Sequence, residues 1–450
     1  MSFSLVGFFI LTLTILVFVH EFGHFWVARR CGVKVLAFSI GFGPVLFRKV
    51  DRYETEWCVS ALPLGGYVKM LDNRESAVAE DSLSECFNVQ PAWSKAAIVA
   101  AGPLANFLLA IFLYSVISMI GVTHKVPVVG EVRPDSPAFY AGFERGQRII
   151  AINGEKVKSV YDLNLQLAGQ IGETGNLSFD LKADEDDAFR SVSLPIKTWL
   201  KTQQRPDFYH ALGFQPYFPD SPVVIAEVLE QSVASKAGIR ADDTIIAIND
   251  TSVKHWPDAI NMVSTRSGET LRIELLRDDT TIELTLIADT VKNDVGASVG
   301  RIGVRAKPVD WPSHLLVVER FSLFEAIHQG FIQTIEMISF TVISMKKLVL
   351  GLISPSNLGG PISIAKMASA SASSGFVPFL SFLGLLSVSL GVLNLLPVPA
   401  LDGGQLLTIS AEALLNRPLP DWFLLWFQQL GLLLILSIMI LAIFNDIKHF

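Results

Sequence analysis

Apolar residues run uninterrupted by Asp, Glu, Lys or Arg through four windows of the chain, 1–19, 96–122, 376–401 and 422–444. Each is long enough to cross a bilayer, which takes about 20 helical residues at about 1.5 Å rise, so four membrane-spanning helices are expected. The first window has no basic n-region and no small-residue cleavage site before His20-Glu21-Phe22-Gly23-His24, and reads as a retained span rather than a signal peptide. A fifth apolar stretch, 330–352, carries Glu336, Lys346 and Lys347 and reads as an interfacial amphipathic helix.

Positive residues near span ends set the orientation, because Lys and Arg stay in the cytoplasm. Arg29, Arg30 and Lys34 follow the first window closely, whereas no positive residue precedes it. Residues 29–95 are therefore expected inside, both termini and the long region between the second and third spans outside, and the short loop holding Arg417 inside. Cys31, Cys58 and Cys86 all fall in the segment assigned to the reducing side, in agreement with that orientation. Three cysteines provide no disulfide framework. The chain has 450 residues, 50% of them hydrophobic and 18% charged, with a net charge of −7. That composition excludes intrinsic disorder and argues against a nucleic-acid partner.

The outer region repeats itself. Val129-Gly-Glu-Val-Arg-Pro-Asp-Ser136 and its continuation to Ala141-Gly142 align with Ile225-Ala-Glu-Val-Leu-Glu-Gln-Ser232 and its continuation to Ala237-Gly238, at an offset of 96 residues. Arg148-Ile-Ile-Ala-Ile-Asn153 likewise aligns with Thr244-Ile-Ile-Ala-Ile-Asn249, each a buried strand running into a tight turn. A period this long means two copies of a small domain. Each copy reads as strand, Ser-capped short helix, strand, turn, longer helix and closing strands, and resembles the PDZ domain in its circularly permuted bacterial form. Such modules take extended peptides or chain ends by strand addition; they also serve as spacers or steric filters with an empty groove.

His20 and His24 stand at i and i+4 of a helix, so both imidazoles leave nearly one face and can share a zinc ion. Glu21 lies one residue round from them, placed to act as general base on an attacking water that the metal acidifies toward a pKa of about 7. Three such residues within a span are costly unless they face a cavity or one another, so they read as functional. A catalytic zinc needs a third protein ligand. The third window ends Asn394-Leu-Leu-Pro397-Val-Pro399-Ala-Leu-Asp402-Gly403-Gly404, where two prolines unwind a span just before an aspartate, on the same side as the histidines. Asp402 is the expected third ligand; its alternative role is to cap a helix starting near Gln405.

The two segments, together with Ala101-Gly-Pro103-Leu-Ala-Asn106 and Gly360-Pro-Ile-Ser-Ile-Ala-Lys366, resemble the site-2 protease family of intramembrane zinc metalloproteases. The resemblance covers essentially the whole chain. It implies a polytopic α-helical membrane protein with four transmembrane helices, a membrane-associated β element and an extracytoplasmic tandem of circularly permuted PDZ domains. The expected order is a first span over 1–28, a hairpin region over 29–95, a second span over 96–122 and PDZ copies over 127–220 and 221–309. A linker with amphipathic helices (310–375), a third span (376–401), a cytoplasmic loop (402–421) and a fourth span (422–444) follow. The resemblance also implies cleavage of single-span membrane proteins in the bacterial inner membrane, among them an anti-sigma factor and signal-peptide remnants, after an outer cut by another protease. In the family, the PDZ pair is thought to exclude substrates with bulky outer domains.

Hydrolysis of a helical substrate requires an extended segment, because the helix ties up its carbonyls. Gly65, Gly66, Tyr67, Val68, Lys69 and Met70 read as a strand that could hold such a segment, and Phe38-Ser-Ile-Gly41-Phe-Gly43-Pro44 reads as a hairpin-like turn; an ordinary surface hairpin is the alternative. Asn394 is a candidate to hydrogen-bond the substrate backbone or an oxyanion, while Pro103 and Asn106 are assigned to packing and a kink. A membrane scaffold or transporter with a non-catalytic metal site is the rival reading of the whole.

Overall fold

The computed structural model describes residues 3–74, 78–183, 189–201, 203, 206–219, 222–292, 298–307, 309–355 and 359–448. Met1 and Ser2 of the expected first span, residues 75–77 of the hairpin region and the expected boundary between the repeats at 220–221 lie outside them. The chain divides into two units, 1–122 with 318–446, and 123–317 with the C-terminal residues.

In the first unit the apolar windows fold as helices: α1 (Phe3–Arg30), α2 (Ala92–Ile120), α5 (Phe376–Asn394) and α7 (Asp421–Lys448). Among the described residues these four are long and apolar enough to cross a membrane. α2 starts earlier than the charge-free window, directly after Pro91, and takes in Trp93 and Lys95. Three further helices lie between them in sequence, α3 (Leu323–Val349), α4 (Pro361–Ser374) and α6 (Asp402–Leu415). The expected amphipathic segment 330–352 falls within α3 and the residues after it. A Ser322–Glu325 capping box starts this helix earlier than expected, and Ala326, Gly330, Thr334 and Met337 are its buried stripe. A Cβ at Gly330 would meet Ile111 O at 2.6 Å, so α3 rests directly on the backbone of α2, a close approach that only a residue without a side chain permits. The N-terminus of α4 is held by Asp446 of α7, whose carboxylate accepts from Gly360 N (3.0 Å), Ile362 N (2.8 Å) and Ser363 Oγ (2.5 Å).

One expectation is corrected here. The glycines of 38–44 do not make a hairpin turn: β1 runs unbroken from Val35 to Val50 and pairs antiparallel with β2 (Glu56–Met70). Gly41 and Gly43, at φ 89° and 85°, instead sit where the register of the ribbon slips, as glycines do in bulged strands. Within the connection expected over 402–421, residues 402–415 form a helix. Asp402 opens α6, and Gly403 and Gly404 let its first turn lie against the carbonyls of Leu395, Leu396 and Val398.

The ribbon doubles back on itself. Ala37, Phe38, Ser39 and Ile40 face Lys69, Val68, Tyr67 and Gly66 on one side and Glu56, Trp57, Cys58 and Val59 on the other. Residues 66–69 thus form a margin of the sheet with no further strand beside them among the described residues. Phe25 of α1 packs edge-on against Phe38 (5.6 Å between centroids) and Trp57 (5.0 Å), joining the ribbon to the helix that carries the histidines.

The true turn of the ribbon, 51–55, is built on Asp51. Its carboxylate accepts from Tyr53 N (2.8 Å), Thr55 N (3.0 Å), Trp57 Nε1 (3.2 Å) and Arg29 Nη2 (2.7 Å), the last from the end of α1. Burial pushes the carboxyl up, but the donors from Thr55, Trp57, Tyr53 and Arg29 outweigh it and hold Asp51 down at about 2. Because the folded value lies below the unfolded one, the stabilisation is present above about pH 4 and is lost as pH falls through about 2. Asp51→Asn is expected to cost about 1.5–3 kcal/mol, the usual worth of hydrogen bonds to a charged group, and to remove this acid-dependent component. Thermal unfolding of the detergent-solubilised protein at pH 7 and pH 3 measures both; equal losses for wild type and variant on acidification would contradict it.

The second unit contains the repeat. In the first copy Val129–Val132 pairs with Phe214–Pro216, so the first strand closes on the last; in the second, Val223–Val228 pairs with Val304–Ala306. Ser136 and Ser232 cap equivalent short helices, accepting from Phe139 N (3.2 Å) and Ser235 N (3.1 Å). The strands Arg148–Ile152 and Thr244–Ile248 both end in two-residue turns with positive φ, at Asn153-Gly154 and Asn249-Asp250. Asn153 and Asn249 repeat the same bond, accepting from Ser178 N (2.9 Å) and Arg272 N (2.8 Å). Each copy has its own apolar core, around Leu163, Leu167 and Phe179 in the first and Ile248, Leu271 and Ile273 in the second.

Candidate metal centre

His20 and His24 project from the C-terminal half of α1 toward α2, and their Nε2 atoms lie 3.2 Å apart. Both residues are buried. α2 accepts them because Gly102 offers no side chain: a Cβ there would overlap His24 Nε2 and stand 2.9 Å from His20 Cε1. Gly23, between the two histidines in sequence, performs the reciprocal service, since a Cβ on it would overlap Ala101 O. The two helices thus meet backbone to backbone at the histidines.

The third group arrives from the far end of the chain. α5 ends at Asn394, the segment 395–401 turns back through Ala400 at φ 74°, and α6 begins with Asp402. This helix starts three residues before the expected Gln405, with Leu401 rather than Asp402 at its cap position. The carboxylate of Asp402 is free to turn inward, and Oδ2 lies 3.2 Å from His20 Nε2 and 3.6 Å from His24 Nε2. One ligand atom from each of the three residues falls within 4.8 Å of the others.

The donor set fits a zinc ion. Two imidazole nitrogens and one carboxylate oxygen are the three protein ligands of a catalytic zinc site. Asp402 Oδ2 is buried facing the two Nε2 atoms without an aligned hydrogen bond, and a buried carboxylate oxygen is costly unless a cation or a proton donor faces it.

The remaining expected site residues lie around this cluster. Asn394 Nδ2 is 3.4 Å from His20 Nε2, on the margin of the donor set. Glu21 is half-buried, and a Cβ on Gly66 would stand 2.9 Å from both Glu21 Cγ and Val17 Cγ1. The sheet margin 66–69 therefore passes over the face of α1 that carries Val17 and Glu21, with Gly66 at the crossing. Gly65 lies under Phe42, and Tyr67, Val68 and Lys69 continue the margin toward Met70.

Two residues that border the centre carried no site role in the sequence reading. Gly102 carried no expectation, and Asn106 was assigned to packing, yet its Nδ2 is 3.1 Å from His20 Nδ1. Their spacing of four residues, which puts both on one helix face, was the available signal.

Residues 8–438 match peptidase family M50. The chain belongs to that family. M50 is the family of site-2 proteases, and this M50 chain is an intramembrane zinc metalloendopeptidase. It is 39% identical to a putative zinc metalloprotease of Vibrio cholerae over 439 residues, 97% of each chain. It is also 39% identical to the regulator of sigma-E protease RseP of Salmonella typhimurium over 441 residues, 98% of each chain. Among solved structures, the PDZ domain of an SdrC-like protein from Listeria monocytogenes matches 20% of the M50 chain and 93% of its own, at 18% identity and TM-score 0.17.

Proposed function

We propose that the chain cuts single-span membrane proteins at a zinc ion held by His20, His24 and Asp402. The meeting of Asp402 Oδ2 with the two Nε2 atoms, at 3.2 and 3.6 Å, carries the reading. Zinc bound there supplies Lewis acidity toward the scissile carbonyl and the attacking water. Glu21 removes the proton from that water and later delivers it to the departing amine. Asn394, whose amide borders the donor set, hydrogen-bonds the substrate backbone or the oxygen on which charge develops. Residues 65–70 hold the substrate as an added strand: the open margin 66–69 crosses Glu21 at Gly66, so a strand laid along it arrives beside the base.

The substrate class follows the relatives. One is named a regulator of sigma-E protease, and an anti-sigma factor of the envelope-stress response, with signal-peptide remnants as a second class, is the proposed substrate here. The enzyme lies in the bacterial inner membrane as a four-span protein. Both termini and the region 123–317 are periplasmic, the centre lies near the cytoplasmic side, and the ribbon of β1 and β2 is associated with the bilayer. The repeats, 127–220 and 221–309, form a tandem of circularly permuted PDZ domains that admits substrates already shortened outside and offers its grooves to peptides or chain ends. Closure of the first strand on the last in each copy supports the permuted reading.

Incubation of the purified protein with an anti-sigma factor tests this. Cleavage is expected, is lost with a chelator and returns when zinc is added back. Cleavage that survives chelation would overturn the proposal.

A further inference from the structure

Asn106 is fully buried on α2, one turn beyond Gly102 and on the same face. Its backbone carbonyl accepts a hydrogen bond from Ser387 Oγ of α5 (2.7 Å), which holds this turn in place. Its side chain shows an imbalance. Nδ2 stands 3.1 Å from His20 Nδ1, while Oδ1 is buried with no hydrogen-bond partner.

The two ends of an amide exchange by a half-turn, and the choice between them is made by the hydrogen bonds they form. With Nδ2 toward His20, Nδ1 must accept, and the ring proton is forced onto Nε2. That is the atom 3.2 Å from both His24 Nε2 and Asp402 Oδ2, and a protonated nitrogen cannot ligate a metal. With the half-turn, Oδ1 takes the position facing Nδ1 and accepts its N–H, and the Nε2 lone pair is released to the centre. His24 already shows this arrangement: its Nδ1 lies 2.9 Å from Ile98 O, which can only accept. Each histidine then donates Nδ1–H to an oxygen of α2 and presents Nε2 inward.

We infer that Asn106 is a positioning residue for His20, its side-chain carbonyl accepting Nδ1–H and selecting the tautomer whose Nε2 is free for metal. The inference rests on the zinc site proposed above. Partners of this kind fix the tautomer of ligating histidines, and their loss lowers metal affinity about 10–100-fold.

The test measures zinc affinity of the full chain in detergent by competition with a chromophoric chelator, for wild type, Asn106→Asp and Asn106→Leu. Leu keeps the volume and removes the acceptor, so the dissociation constant is expected to rise about 10–100-fold. Asp keeps an acceptor and is expected to retain wild-type affinity. A packing role predicts the reverse order, because a buried carboxylate disturbs an apolar contact more than Leu does. Leu binding zinc as wild type does, or Asp losing as much as Leu, would overturn the inference and leave the zinc site standing. A wild-type chain that binds no stoichiometric zinc would overturn the site itself. Nitrogen-15 spectra of the histidine-labelled, zinc-loaded wild type decide the tautomer without any variant: a proton on His20 Nδ1 is expected, and an unprotonated Nδ1 contradicts the role of Asn106.

Discussion

Glu21→Gln is expected to lower turnover of a single-span substrate by about 10²–10⁴-fold, the usual worth of a positioned general base, with zinc content and substrate binding unchanged. Glutamine has the shape of glutamate and keeps the contact that Glu21 Cγ makes with the strand at Gly66. It cannot take a proton from water or return one to the leaving amine. The ligand set is untouched, since His20, His24 and Asp402 supply the three inward atoms without Glu21. Cleavage assays beside zinc analysis of the same preparations check this. Loss of zinc together with activity would mean that Glu21 supports the site rather than the chemistry, and full activity would remove Glu21 from the mechanism.

The second large effect is expected at a residue with no functional group. Gly102→Ala places a methyl where His24 Nε2 now lies and at 2.9 Å from His20 Cε1. Either α1 and α2 separate or the imidazoles turn out of line. Overpacking a filled interior costs about 1–3 kcal/mol, and charged to metal binding this is a weakening of about 5–150-fold. At limiting zinc, cleavage falls by the same factor. Gly7→Ala on α1 is the control, since its Cβ position has nothing within 4 Å. Zinc titrations of the two variants check the prediction; wild-type affinity in Gly102→Ala would contradict the close meeting of helices that forms the site.

How much of this was legible in the sequence differs by the kind of signal. The four long apolar helices were legible because charge is absent from long windows, a contrast that follows from the cost of burying ions in lipid. Asp402 stood out because two prolines break the end of one such window and the aspartate directly follows it. The turns at Asn153 and Asn249 were legible because local dihedrals decide them. The course of β1 was not: Gly41, Gly43 and Pro44 have the composition of a turn, and only pairing with β2 shows that they bend a continuous strand. A helix near Gln405 was legible as an alternative role for Asp402, but its start at Asp402 was not, because that start depends on the fit of Gly403 and Gly404 against the carbonyls of 395–398. Asn106 was undervalued because its partner lies 86 residues earlier on another helix; periodicity shows the face of a residue's own helix and not what stands opposite.

X-ray absorption at the zinc edge, on purified wild type and Asp402→Ala, addresses the metal assignment itself. The wild type should give a coordination sphere of nitrogen and oxygen scatterers, with two imidazoles and no sulfur, and Asp402→Ala should lose an oxygen or the metal. A sulfur scatterer, or identical spectra from the two proteins, would contradict the assignment of His20, His24 and Asp402.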